Sequence, residues 1–154
     1  MLMHNFDKIT WQEIDDLHMK VVLDIYKKRW IPDIIVGIVR GGAIPGIMIS
    51  HTMDIPFFTI DIRLRDSVSD AEVNWKNFSE TIDSNKKYLF VDDINDCGDT
   101  INFILEKWDK NYLDNIKTCT LYEKFSTNVE SDYNGKIYYK EDWLIFPWEN
   151  EHAD

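Results

Sequence analysis

The chain changes character in one step at Val91. Tyr88, Leu89, Phe90 and Val91 form a short aromatic and aliphatic run after the polar Asp83-Ser84-Asn85-Lys86-Lys87, and carboxylates then follow at 92, 93, 96 and 99. A run so short and so wholly apolar fits a strand covered on both faces, the central strand of a parallel sheet. The acidic residues fall at its carboxyl end, where open α/β sheets bind ligands. Gly98 and Thr100 open a helical pattern that continues through Ile101, Ile104, Leu105 and Trp108. A glycine turn feeding a helix N-terminus aims backbone N–H groups at an anion, and the helix dipole adds to the attraction. Carboxylates beside such a phosphate nest would repel it. They fit a ligand that also carries ribose hydroxyls to donate to them and a divalent cation to screen its phosphates. The plainer alternative is an acidic loop that only caps a helix.

The flanking sequence follows an α/β plan. Thr10 with Glu13 reads as a capping box, and Ile14, Leu17, Val21, Val22 and Ile25 recur at helical spacing, predicting an amphipathic helix over 10–29 that covers the sheet. His18 on that helix reads as a surface or packing residue. Asp33 to Val39 predicts a buried strand, followed at once by Arg40-Gly41-Gly42 and an apolar helix from Ala43 to Met53 with Pro45 in its first turn. A glycine pair lets backbone approach a ligand, and Arg40 sets a planar cation beside it; a tight turn without function is the alternative. Ile55 to Ile62 predicts the next strand, with Pro56 at its edge. From Arg63 to Ser84 the pattern is polar and irregular, as in a lid, a binding loop or a bare surface excursion. Ile116 to Tyr122 predicts a strand ended by Glu123-Lys124, Tyr133 to Lys140 a loop and short strand, and Glu141 to Glu149 an aromatic and aliphatic core strand. On composition alone Lys124 is a solvated charge.

Length and charge bound the function. The 154 residues suit one domain, 1–154, and 44% apolar with 14% aromatic residues is enough for a sizeable core. No apolar run reaches bilayer length and the first residues lack a signal peptide's pattern, so no membrane association and a cytoplasmic location are expected. A net charge of −11 argues against a general nucleic-acid grip but leaves room for a small polyanion held by a local donor cluster. Two cysteines, Cys97 and Cys119, are too few for a disulfide framework or zinc site; Cys119 reads as core, and Cys97 has no neighbouring histidine to make it a nucleophile.

The block from Leu89 to Thr100 resembles the ribose-phosphate signature of type I phosphoribosyltransferases: apolar strand, Asp-Asp, spacer, Thr or Ser, Gly, any residue, Thr. Cys97 stands where that family usually has a hydroxyl residue, replacing a side-chain donor with a weak thiol. Val39-Arg40-Gly41-Gly42 is similar to the family's pyrophosphate loop, often built on a non-proline cis peptide. Glu141 to Glu149 resembles the Asp-x-Trp-Ile/Val-x-x-Pro-Trp-Glu/Asp tail of the xanthine-guanine and hypoxanthine group, with Leu144 in place of the commoner β-branched residue. These elements and Lys124 occur in the family's order.

The resemblance implies a mostly parallel central sheet flanked by helices, with a flexible flap over about 63–84 and a small C-terminal hood whose base-binding segment covers about 133–149. It implies a transferase of purine salvage that joins phosphoribosyl pyrophosphate to a 6-oxopurine, with Mg2+. Arg40, Gly41 and Gly42 would cradle pyrophosphate. Asp92 and Asp93 would hold the ribose hydroxyls and, mainly through substrate, the metal. Asp96 would face the base as general base, and Cys97, Gly98, Asp99 and Thr100 would bind the 5′-phosphate. Lys124 would read the purine's 6-oxo group, Trp143 would stack on the base, backbone at Leu144 would meet its edge, and Trp148 would pack below. A homodimer or higher homo-oligomer is expected, with Trp30 or Trp75 available as exposed aromatics. A noncatalytic regulatory protein that binds phosphoribosyl pyrophosphate is the alternative, and a pyrimidine-specific transferase is disfavoured by Lys124 with Trp143.

Overall fold

The computed structural model describes residues 5–149. Five strands form one parallel sheet in the order β3-β2-β4-β5-β6, made of β2 (Ile34–Val39), β3 (Phe57–Asp61), β4 (Tyr88–Asn95), β5 (Ile116–Lys124) and β6 (Tyr133–Tyr138). Helices cover both faces, which is why β2 can read Ile-Ile-Val-Gly-Ile-Val without polar alternation. Because the strands run the same way, their carboxyl ends share one rim.

On one face lie α1 (Trp11–Lys28) and α2 (Ala43–Met53), packed on an aliphatic layer that includes Val21, Ile25, Ile35, Ile49, Leu89 and Val91. The α1 N-cap is as expected: the Thr10 hydroxyl accepts the Glu13 N–H at 3.1 Å. The Glu13 carboxylate is engaged elsewhere, accepting from the Tyr122 hydroxyl at 2.6 Å and so pinning α1 to β5. His18 is buried, its Nδ1 2.7 Å from the Asp15 carbonyl and its Nε2 3.0 Å from the Thr52 hydroxyl, so it ties α1 to α2.

The opposite face carries α3 (Val68–Ser79) and α4 (Asp99–Lys107) over an aromatic layer. Here the structure corrects the expectation of an irregular segment over 63–84. Ser67 caps α3 by accepting the Asp70 N–H at 3.2 Å, and Ala71, Trp75 and Phe78 fall on one side of the helix. Trp75 is 6% exposed, its ring centroid 5.7 Å from Phe78, 6.2 Å from Phe90 and 6.5 Å from Trp108. It is a core residue and no exposed aromatic for an interface. Truncating an aromatic so placed costs about 3–5 kcal/mol. Only the turn at 62–67 remains outside regular structure between β3 and α3.

A second parallel pair lies apart from the main sheet: β1 (Phe6–Lys8) beside β7 (Trp143–Ile145). Its core of Ile9, Leu144 and Phe146 merges with Ile14, Leu17, Leu121 and Tyr138, fixing the hood to α1 and β5. Among the described residues, no helix is long and apolar enough to cross a membrane.

Candidate active site

The central strand does not stop at Val91. β4 continues through Asp92 and Asp93 to Asn95, so the first two carboxylates are strand residues. Asp92 accepts the Asp93 N–H at 2.9 Å, and Asp93 accepts the Ile94 N–H at 2.7 Å. Burial pushes the Asp92 carboxyl well above the usual carboxylate range, and the neighbouring Asp93 charge adds to this. Burial raises Asp93 as well, with hydrogen bonds from its surroundings working against the shift. Neither side chain is sealed: both residues keep partial exposure at the rim.

The turn after β2 meets this pair. The Val39-Arg40 peptide is cis, the Gly42 N–H donates to the Ile38 carbonyl at 2.8 Å, and the Ala43 N–H donates to the Arg40 carbonyl at 3.1 Å. A side chain at Gly41 would overlap the Asp93 carboxylate, and one at Gly42 would overlap the Val91 carbonyl. Only glycine allows the two turns to touch. Asp61, opposite Val39 in the sheet, is held below its usual range first by hydrogen bonds from Arg63, at 2.7 Å each, and to a lesser degree by the Arg40 charge. Three of the chain's four arginines, Arg40, Arg63 and Arg65, thus lie along one rim of an acidic protein.

Asp96 stands beyond the end of β4 between two cations. Its carboxylate is 3.4 Å from the Lys124 ammonium and 3.5 Å from the Arg65 guanidinium. Lys124 also lies 3.2 Å from Glu141, whose hydrogen bond, with the Asp96 charge behind it, raises the lysine's pKa. Arg65 joins this cluster from the polar stretch 63–84, where no pattern in the sequence marks it. Cys97 is half-buried, Gly98 takes φ 93° as the N-cap of α4, and Asp99 and Thr100 begin the helix, whose first N–H groups lack intrahelical acceptors.

Beneath the loop lies a polar network that sequence reading missed. Asn95 and Glu123, 4% and 2% exposed, face each other across β4 and β5. The Asn95 amide donates to Glu123 at 2.9 Å and to the Val129 carbonyl at 2.7 Å. Glu123 also accepts the Ser131 N–H at 2.6 Å and its hydroxyl at 2.7 Å. No local pattern marks such a pair, because it exists only once the two strands are in register.

The hood reaches the site through Lys124 and Glu141. Trp143 is 58% exposed on β7, whereas Leu144 is buried. Trp148 stacks on Phe146 at 4.9 Å and 13°, and lies 5.9 Å from Trp11. Cys119 is buried in the sheet, also as expected. A cavity of about 450 Å³ between β3 and α3, lined by Phe58, Ile60, Asn74 and Phe78, shares only Asp61 with this constellation.

For a metal, Asp92 and Asp93 offer hard oxygen ligands of the kind magnesium takes, and a cation there would relieve the pair's unfavourable charge. Among the described residues, no group of three or more His, Cys, Asp or Glu could hold a metal by itself. Substrate oxygens would have to complete the coordination.

Comparison with known proteins gives the family. The family model "Phosphoribosyl transferase domain" matches residues 8–154. The chain is 27% identical over 150 residues to the xanthine-guanine phosphoribosyltransferase of Desulfotalea psychrophila, spanning 93% of this chain and 86% of that one. It is 26% identical over 125 residues to the enzyme of the same name from Cereibacter sphaeroides, spanning 75% and 68%. The crystal structure of a purine phosphoribosyltransferase from Pyrococcus horikoshii superposes with a TM-score of 0.74 at 26% identity, covering 97% of both chains. With the match running through every element of the sheet and its rim, the chain belongs to the phosphoribosyl transferase domain family and is a phosphoribosyltransferase.

Proposed function

We propose that the protein is a purine phosphoribosyltransferase. It moves the phosphoribosyl group of 5-phospho-α-D-ribosyl 1-pyrophosphate to a 6-oxopurine (xanthine, guanine or hypoxanthine), yielding a nucleoside 5′-monophosphate and pyrophosphate. The observation that carries this reading is the meeting of three turns at one rim: Gly41 against Asp93, and Lys124 3.4 Å from Asp96. The purine enzymes among the relatives support it.

In the reaction the bond from the anomeric carbon to pyrophosphate breaks as a bond to a purine nitrogen forms, so positive charge develops on the ribose. Asp92 and Asp93 accept hydrogen bonds from the ribose hydroxyls and, once ionised, oppose that charge with two preorganised carboxylates. Arg40 and the N–H groups of Gly41 and Gly42 take the departing pyrophosphate. When bound, magnesium neutralises phosphate charge, with Asp92, Asp93 and substrate oxygens as its ligands. Cys97, Gly98, Asp99 and Thr100 receive the 5′-phosphate at the N-terminus of α4. Asp96 accepts the proton that the purine loses. Lys124 donates to the 6-oxo group, Trp143 stacks on the base and the Leu144 backbone meets its edge. The turn at 62–67 covers the site and excludes water, in place of a longer flap. A cytoplasmic homodimer or higher homo-oligomer completes the reading.

A spectrophotometric panel of xanthine, guanine, hypoxanthine, adenine and uracil, each with phosphoribosyl pyrophosphate and magnesium, tests this. Turnover of at least one 6-oxopurine and none of uracil is expected. Turnover of uracil alone, or of no base at all, would overturn it.

A further inference from the structure

The pair formed by Asn95 and Glu123 sits one residue behind the pair formed by Asp96 and Lys124. The two strands are in register at Asn95 and Glu123, and the next residue on each carries a group assigned to the purine. The buried pair also holds the phosphate loop from below. The Asn95 amide nitrogen donates to Glu123 and to the Val129 carbonyl, and its oxygen accepts the Thr127 hydroxyl at 3.3 Å. Segment 127–131 lies directly against the loop: the Asn128 N–H donates to the Cys97 carbonyl at 3.1 Å, and a side chain at Gly98 would come within 2.7 Å of the Val129 nitrogen. Glu123 anchors the other end of that segment through both the N–H and the hydroxyl of Ser131.

We infer that Asn95 and Glu123 are positioning residues for transfer: they set the shape of the Cys97 to Thr100 loop that takes the 5′-phosphate. The inference rests on the purine transferase reading for the identity of the ligand. Its physical basis is that the buried Asn95 amide donates both to the buried Glu123 and to the half-buried Val129, joining strand β5 to the segment beside the loop. Reversing its polarity turns two hydrogen bonds into two repulsions without changing side-chain size. The loop then keeps only the backbone bond from Asn128 to Cys97 to hold it against segment 127–131. Glu123 needs only an acceptor at Oε1, where Asn95 and Ser131 all donate. A glutamine carbonyl at that position meets the same need, and its NH2 then faces the half-buried Asn134 amide, which turns its oxygen toward it in place of the nitrogen that now donates to Oε2.

The test separates two phosphate sites by titration calorimetry with ribose 5-phosphate and with inorganic pyrophosphate plus magnesium. Asn95→Asp is expected to weaken ribose 5-phosphate by on the order of tenfold or more. Pyrophosphate, held on the Arg40 turn, is expected to stay within about twofold. Glu123→Gln is expected to keep both affinities within about threefold. Thr127→Val, a milder change at the half-buried margin of the network, is expected to weaken ribose 5-phosphate alone by about threefold, and it keeps the inference testable if Asn95→Asp does not fold. Equal weakening of both ligands by Asn95→Asp, or by Thr127→Val where the former cannot be purified, would overturn the inference, as would no selective change. Failure of the wild-type protein to bind either ligand would instead overturn the transferase reading.

Discussion

Two sets of carboxylates withdrawn from water to different depths lie on neighbouring strands and are treated in opposite ways. Glu123 on β5 is sealed in and meets four donor groups from Asn95, Ser131 and Asn134. Asp92 and Asp93 on β4 stand side by side, desolvated, with backbone N–H groups but, among the described residues, no cation acting on either carboxyl. The first arrangement completes a hydrogen-bonding requirement within the chain. The second leaves one open, to be completed by ribose hydroxyls and a cation that arrive from outside. Burial of a carboxylate therefore says little about its role; whether its partners are already present says much more.

The largest expected effect comes from Asp92→Asn, which should lower kcat/KM by about 10²–10³-fold through loss of transition-state charge stabilisation. The same change should raise the melting temperature of the ligand-free protein by roughly 2–4 °C, or about 1 kcal/mol. The sign follows from the raised carboxyl: folding stability falls as pH climbs from the unfolded carboxylate range through the higher native value, and the amide has no proton to lose. Calorimetric scans across pH should show the advantage of the variant growing upward from about pH 4. Affinity for phosphoribosyl pyrophosphate in the wild type should run the other way, weakening as pH falls and Asp92 becomes protonated. A variant melting below the wild type at neutral pH would break the contrast.

Asp96→Asn should reduce kcat by about 10²-fold, the scale of a lost general base. Binding of phosphoribosyl pyrophosphate by titration calorimetry should change by no more than a few-fold. Full retained activity would remove Asp96 from its role.

Glu123→Leu supplies the opposite half of the contrast. It strands the Asn95 amide and the Ser131 donors, and should cost about 3 kcal/mol of stability by urea unfolding, with an unchanged m-value. The smallest effect is expected for Cys97→Thr, which restores a stronger donor to the phosphate loop. It should leave 5′-phosphate affinity unchanged or improved, by up to about threefold; clearly weaker binding would show the thiol to be more than a substitute.

Much of this architecture was legible in residue order. The runs at Ile34 and Tyr88 are too short and too uniformly apolar for anything but covered strands, and the glycine pair after Arg40 marks where backbone must come close. The contact between the two turns, legible only as an expectation, follows from parallel strands β2 and β4 lying side by side. Other features were hidden for physical reasons. In α3 the exposed polar residues outnumber the buried ones, so Ala71, Trp75 and Phe78 looked scattered although their spacing and the Ser67 cap are helical. Strand β1 is three residues long and exists because β7 offers it an edge. Asn95 and Glu123 carry no periodic signal, since their partners come from strand register and from a loop.

The parallel sheet has one more consequence. Each participating turn is the outgoing end of a different stave, so the reactive geometry is assembled like the rim of a cask. A slip of one residue between β4 and β5 would bring Asp96 opposite the wrong neighbour and turn Asn95 outward. Variation that retunes what this protein accepts is therefore tolerable in the turns and in the hood, while the staves themselves must keep their relative height.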